Sequence, residues 1–204
     1  MPTRQRSTCA RHRRRGRGCR RTRRVFCQPA ELRRDGSFLI PREALRKTRV
    51  VPRLAPNEFH VFISHYQYHA GDACGILKRD LRDFGLEVWL DQDQREINAD
   101  AMLRGVEQSR VYLLFLCKDV FKRPYVLKEA RRALELGKPV LLVHESDPAR
   151  VEAYAPISEL IAQAPPDLGS LFRMCESEPF QRRAHLQQPM TLKLVDRIVR
   201  AMGG

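Results

Sequence analysis

The segment at residues 124–144, PYVLKEARRALELGKPVLLVH, constrains the fold more than any other part of the chain, because it predicts an amphipathic helix followed directly by a buried strand. Pro124 suits the first turn of a helix, where its missing N–H would have no intrahelical partner. Gly137 suits the position just after the helix, where glycine adopts a left-handed backbone at little cost. The apolar residues at helical spacing are Val126, Leu127, Ala130, Ala133 and Leu134. This stripe must therefore pack against a core.

The same alternation of helix and strand extends from residue 57 towards the C-terminus. Short apolar segments predict strands at 60–64, 87–90, 111–116 and 139–144, with a weak fifth at 171–175. Amphipathic segments predict helices at 72–84, 100–108, 124–136 and 191–201, with one more within 149–162. Such alternation favours a parallel sheet covered on both faces. The prediction is an α/β fold, a flavodoxin-like doubly wound five-stranded parallel sheet in the order 2-1-3-4-5.

Residues 1–56 lie outside this pattern, and the chain of 204 residues can bury one good core rather than two. Residues 1–24 contain 11 Arg and no Asp or Glu, so they hold most of the net charge of +14. With almost no apolar side chains, this arm cannot offset the entropy of folding, and we expect it to be disordered. Four prolines in residues 25–56 predict an irregular connector with at most a short helix near Ala44.

Several roles stay open for the Arg-rich arm. The simplest role is that of a solvated tail. The alternatives are a weak and non-specific polyanion-binding segment, a nuclear-localisation signal within residues 4–24, and an organellar transit peptide. The six cysteines are widely spaced without a CxxC motif, which disfavours a disulfide framework or a zinc site. The longest apolar run, 111–117, is too short to span a bilayer. The default expectation is a cytoplasmic protein without a membrane span.

The predicted topology places a ligand crevice at the carboxyl ends of strands one and three. There the loop at residues 64–69, SHYQYH, would face the helix that carries Tyr125 and Glu129. A phospho-accepting receiver needs acidic residues at these strand ends, and the sequence offers Ser64 and Cys117 instead. A flavin-phosphate site needs a loop rich in Ser, Thr and Gly, whereas this loop is bulky and aromatic. The sequence therefore disfavours both functions.

Taken together, four motifs resemble the TIR (Toll/interleukin receptor) domain family. They are HVFISH at 60–65, GLEVWLD at 85–91, SRVYLLFL at 109–116, and residues 125–129 followed by GKPVLLV at 137–143. The resemblance implies a TIR-like domain at residues 57–204, with its core at 58–147. It also implies signal transduction, as in innate immunity, through self-association or binding of other TIR domains. The loop expected to make that contact is 92–99, which includes Arg95 and Glu96.

Many members of the family cleave NAD+ with a glutamate four residues beyond a tryptophan. The corresponding positions here are Glu129 and Tyr125, so tyrosine replaces tryptophan. The resemblance implies that Glu129 is catalytic, that NAD+ is a substrate and not a cofactor, and that no metal is needed. Ser64, His65, Tyr66, Asp91 and Tyr125 are the candidate substrate-binding residues. Linear and cyclic products both stay open, and the alternative function is a catalytically silent TIR adaptor.

Each candidate residue also has a simpler structural interpretation. Glu129 could be a surface residue that pairs with Arg132 at i+3. His65 could be a strand-end histidine with one hydrogen bond, and Asp91 could cap the next turn. Tyr125 could cover the edge of the core with its ring. The burial and contacts of each side chain decide between these interpretations.

Overall fold

The computed structural model describes residues 31–32, 38–39, 51–91 and 98–203. The predictions for the arm at residues 1–24 and for a helix near Ala44 lie outside these residues. Within the predicted connector, Glu31–Leu32 pairs antiparallel with Phe38–Leu39. In the described part of the chain, no helix is long and apolar enough to cross a membrane.

One five-stranded parallel sheet forms the centre of the domain. Its strands are β1 Phe59–Ser64, β2 Val88–Trp89, β3 Ser109–Leu116, β4 Val140–Glu145 and β5 Ser177–Phe180. They lie in the order β2-β1-β3-β4-β5, and every neighbouring pair is parallel. All but one of the side chains of the central strand β3 are buried, as expected for a parallel sheet with both faces covered. The predicted doubly wound fold is confirmed.

In the described part of the chain, six α-helices surround the sheet. They are α1 Gln67–Asp83, α2 Ala99–Gln108, α3 Pro124–Glu135, α4 Ile157–Gln163, α5 Ser170–Met174 and α6 Ala184–Ala201. Pro124 is the first residue of α3, and Gly137 follows the helix with φ of +62°, as the sequence predicts. Asn98 caps α2, because its side-chain oxygen accepts a hydrogen bond from the Ala101 N–H at 2.8 Å.

Two predicted elements differ from the structure near the C-terminus. The fifth strand predicted at 171–175 is wrong, since that segment is α5 and the strand is Ser177–Phe180. A short apolar run does not distinguish a helix from a strand. The true strand contains Pro179, which an edge strand tolerates. The last helix begins at Ala184, before the predicted start at residue 191, and it continues through Pro189. Because a proline usually ends or kinks a helix, the sequence pattern predicts a later start.

The first helix also begins earlier than predicted. α1 starts at Gln67, so only His65 and Tyr66 separate it from β1. The polar and aromatic sequence QYH obscures the helical pattern, although Ala70 is buried as part of the same face. The loop predicted at 64–69 is therefore a tight strand-to-helix connection that fixes the side chains at the end of β1.

Candidate functional site

A cleft of about 230 Å³ opens where β1 ends, between β2, α2 and the start of α3. The cleft lies at the carboxyl end of β1 and is lined by the helix that follows β3, as the order of the strands predicts, although β3 itself contributes no lining residue. All six candidate residues line it, and their roles stay predictions. The six are Ser64, His65, Tyr66, Asp91, Tyr125 and Glu129, and the other lining residues are Phe62, Ile63, Gln67, Trp89, Met102, Arg123 and Val126.

The carboxyl group of Glu129 lies on the buried face of α3. The residue is only 5% exposed, although a glutamate is rarely buried without a partner. Ser64, the last residue of β1, donates a hydrogen bond of 2.5 Å from Oγ to Oε2 of Glu129. The simpler interpretation, a surface pair with Arg132, is wrong, because Arg132 binds Glu107 and Glu135 instead. Sequence spacing placed Glu129 at the margin of the core, and the structure places it inside.

Burial in the cleft raises the pKa of the Glu129 carboxyl to about 8. The hydrogen bond from Ser64 opposes this change, and the negative charge of Asp91 adds to it. Both effects are smaller than the loss of hydration, which penalises the charged form. The carboxyl group is therefore mostly protonated near neutral pH when the cleft is empty, and a raised carboxyl pKa in a cleft is typical of functional sites.

Tyr112 lies behind this pair, and sequence reasoning did not identify it. Burial raises the pKa of its hydroxyl well above the usual value, the charge of Glu129 raises it further, and Ser64 lowers it. Its ring stacks on Phe62 with centroids 5.9 Å apart. The only available signal is a single tyrosine within the apolar strand SRVYLLFL. Tyr112 does not line the cleft, and it supports the site by packing against Phe62, which does.

Trp89, the only tryptophan of the chain, forms part of the apolar wall of the cleft. Its ring stacks on Phe62, with centroids 4.3 Å apart and an interplanar angle of 15°. On its other side lies Gly105 of α2, where an added Cβ would come within 2.5 Å of the Trp89 Cε2 atom. Gly105 is therefore needed for this packing. Sequence reasoning missed both roles, because the two residues meet only in the folded chain.

His65 and Asp91 lie at the same side of the cleft. His65 is buried, and its Nε2 atom forms a hydrogen bond of 2.8 Å with Oε1 of Gln67. The same nitrogen lies 3.9 Å from Oδ1 of Asp91. The strand-end interpretation of His65 thus describes its bonding, and the histidine lines the cleft as well. Asp91 is the second carboxylate in the lining, beside Glu129.

The mouth of the cleft carries aromatic and cationic side chains. The guanidinium carbon of Arg123 lies 3.9 Å from the centre of the Tyr66 ring. Tyr125 is 51% exposed, with the ammonium of Lys128 at 5.9 Å from its ring centre. The interpretation of Tyr125 as a cover for the core is therefore wrong. Sequence reasoning also missed Arg123, because nothing in the local pattern links it to Tyr66.

The loop expected to mediate self-association falls mostly outside the described residues. Residues 92–97, including Arg95 and Glu96, lie outside the described residues, whereas Asn98 caps helix α2 and Ala99 is its first residue. In the described part of the chain, no three His, Cys, Asp or Glu side chains are grouped so that they could hold a metal ion.

The known structures that resemble this chain share its fold at low sequence identity. A metazoan TIR-STING receptor from C. gigas in complex with 2',3'-cGAMP is 13% identical with a TM-score of 0.51, over 76% of this chain and 43% of that chain. A second structure of that receptor is 14% identical with a TM-score of 0.50, over 76% and 44%. The chain thus spans under half of the receptor.

A third structure covers a TIR domain alone. The TIR domain of the Toll-related receptor TRR-2 from Hydra magnipapillata is 12% identical with a TM-score of 0.48, over 70% of this chain and 98% of that chain. No curated protein sequence matches the chain. Residues 61–163 match the family model described as TIR domain. Because this match covers half of the sequence, the protein belongs to the TIR domain family.

Proposed function

We propose that this TIR domain cleaves NAD+ at the bond between nicotinamide and ribose, with Glu129 as the catalytic carboxylate. The observation that carries the proposal is the buried Glu129 carboxyl in the cleft, joined to Ser64 Oγ at 2.5 Å. Burying an ionised carboxylate without a compensating partner costs free energy. In the proposed reaction, a cationic substrate compensates the charge of Glu129.

The reaction breaks the bond between ribose C1′ and the nicotinamide nitrogen. The bonding electrons go to the nitrogen, so nicotinamide leaves as a neutral molecule and needs no general acid. Positive charge then develops on C1′ and the ring oxygen of the ribose. Water adds to C1′ and loses a proton to give ADP-ribose, or an adenine nitrogen adds to give a cyclic product. The difficult step is the formation of the oxocarbenium ion.

Glu129 would act on that step as an electrostatic stabiliser. In its charged form it accepts hydrogen bonds from the ribose hydroxyl groups, and these strengthen as positive charge moves from the pyridinium ring to the ribose. Low local polarity increases the effect, since the residue is 5% exposed. Ser64 would hold the carboxylate in place through its hydrogen bond. Its role is positioning, so its loss should cost less than the loss of Glu129.

The remaining lining residues would bind and orient the substrate. Tyr125 is half exposed and offers an aromatic face on which the nicotinamide ring can stack, and Trp89 closes the apolar wall behind it. Asp91 places a second negative charge near the pyridinium cation. His65, which is hydrogen-bonded to Gln67, would keep this wall of the cleft rigid.

The experiment that tests the proposal follows both products. Purified protein, assembled at high concentration or with a clustering tag, is incubated with NAD+, and nicotinamide and the ribosyl product are separated and identified by mass. We expect equal amounts of nicotinamide and of ADP-ribose or its cyclic form. No nicotinamide from the assembled wild type would contradict the proposal and favour the adaptor function, in which the domain acts by binding other TIR domains.

A further inference from the structure

Arg123 is held at the mouth of the cleft in a fixed orientation. Its guanidinium carbon lies 3.9 Å from the centre of the Tyr66 ring, and its Nε–H donates to the backbone carbonyl of Asp119 at 3.4 Å. These contacts use one face of the guanidinium and the Nε donor. The two terminal amino groups of the guanidinium take part in neither contact. An arginine fixed in this way can offer two parallel N–H donors to one anion.

Within the described residues, no carboxylate pairs with Arg123. The adjacent candidate, Asp119, instead binds Lys122, with the Lys122 Nζ atom 2.7 Å from Oδ1. Among residues 51–91 and 98–203, Arg123 forms no ion pair. A positive charge therefore lies in the lining of the cleft, together with the buried carboxyl group of Glu129 and with Asp91.

This separation of charge matches the order of charges in a pyridine dinucleotide. Six residues of helical rise place Glu129 about 9 Å beyond Arg123 along the axis of α3. In NAD+, one ribose separates the positive pyridinium ring from the negative diphosphate. The pyridinium end would therefore lie towards Glu129 and Asp91, and the diphosphate would lie towards Arg123.

We infer that Arg123, supported by Tyr66, binds the diphosphate of the substrate and so selects phosphorylated nicotinamide compounds over nicotinamide riboside. The inference rests on the proposed function, because it assigns a subsite of the same cleft. It makes Arg123 a specificity-determining residue and Tyr66 a positioning residue. The aromatic ring of Tyr66 matters for this role more than its hydroxyl group, since the ring face carries the guanidinium.

Binding, rather than turnover, tests this inference. Trp89 is the only tryptophan and lines the cleft, so its fluorescence reports the occupancy of the site. The probes are ADP-ribose, which carries the diphosphate, and nicotinamide riboside, which carries none. The variants are Arg123→Gln and Arg123→Lys. The matched control is Arg131→Gln, which removes an arginine of the same helix that is exposed, pairs with Asp167 and does not line the cleft.

We expect Arg123→Gln to weaken ADP-ribose binding at least tenfold while riboside binding and the Arg131→Gln control change less than twofold. Arg123→Lys should fall in between, because it keeps the charge and loses the planar fork. If a thermal melt shows that Arg123→Gln does not fold, ADP-ribose binding by Arg123→Lys tests the inference in its place. Absence of ADP-ribose binding in wild type, or equal losses for both probes, would overturn the inference. Arginine-dependent ADP-ribose binding without nicotinamide release would instead contradict the proposed function alone.

Discussion

Ser64 and Glu129 are 65 positions apart in sequence and are joined by a hydrogen bond of 2.5 Å between Oγ and Oε2. The bond connects the last residue of β1 to the second turn of α3. It fixes the buried carboxyl group of Glu129 at the cleft. In the proposed reaction, the ribose would therefore share this carboxyl group with Ser64, and the protonation state of Glu129 would control whether it can.

The first prediction concerns the pH dependence of NAD+ cleavage. In the proposed mechanism the charged form of Glu129 is the active one, and burial raises the pKa of its carboxyl group to about 8 in the empty cleft. The kcat/KM value for NAD+ should therefore rise with pH and level off above an apparent pKa near 8. Asp91→Asn should move the profile to lower pH, because the charge of Asp91 helps to raise the pKa of Glu129. A profile that is flat between pH 6 and 9 would contradict the assignment.

The second prediction concerns stability. The folded state holds a proton on Glu129 up to about pH 8, whereas an unfolded glutamate loses it near the ordinary carboxyl pKa of 4.5. Stability from this group is thus lost as pH rises from 4.5 to 8. Glu129→Gln should raise the melting temperature, with a gain of a few kcal/mol at pH 8 and little at pH 4.5. Thermal unfolding at both pH values measures this, and a gain that does not depend on pH would argue against it.

The sequence predicts the fold better than the site. The spacing of apolar residues and the two end residues Pro124 and Gly137 predicted α3 and β4 to within one residue, because these boundaries depend on local chemistry. The resemblance to TIR domains then pointed to Glu129. The packing of Trp89 on Gly105 is a long-range contact without a local pattern. The same holds for Arg123 over Tyr66 and for the burial of Glu129, which depend on three-dimensional packing.

The third prediction concerns the wall of the cleft. Gly105→Ala should destabilise the protein by about 1–3 kcal/mol and reduce NAD+ cleavage, because the new Cβ would meet the Trp89 ring at 2.5 Å. Helix propensity alone would favour alanine at this position by about 1 kcal/mol, so destabilisation identifies the clash. Gln108→Ala, at an exposed position of the same helix, is the control. Denaturant unfolding measures both, and a more stable Gly105→Ala would refute the packing argument.

The fourth prediction concerns assembly. A cleft of about 230 Å³ is smaller than typical ligand pockets of about 300–1,000 Å³, so NAD+ bound as proposed would need further covering surface. A neighbouring TIR domain can supply it and exclude water. Specific activity should then rise with protein concentration, and charge reversal at Arg95 and Glu96 should suppress the rise. A flat dilution series from a protein confirmed as monomeric would show that the pocket around Glu129 is sufficient by itself.

The most direct test compares two glutamates of the same helix. Glu129 is buried in the cleft, whereas Glu135 is exposed and pairs with Arg132. Nicotinamide release from NAD+ is measured for wild type, Glu129→Gln and Glu135→Gln, all assembled in the same way at pH 8. We predict that Glu129→Gln lowers the rate by about 10²-fold or more and that Glu135→Gln keeps the wild-type rate. Equal release by wild type and Glu129→Gln would contradict the assignment of Glu129 as the catalytic residue.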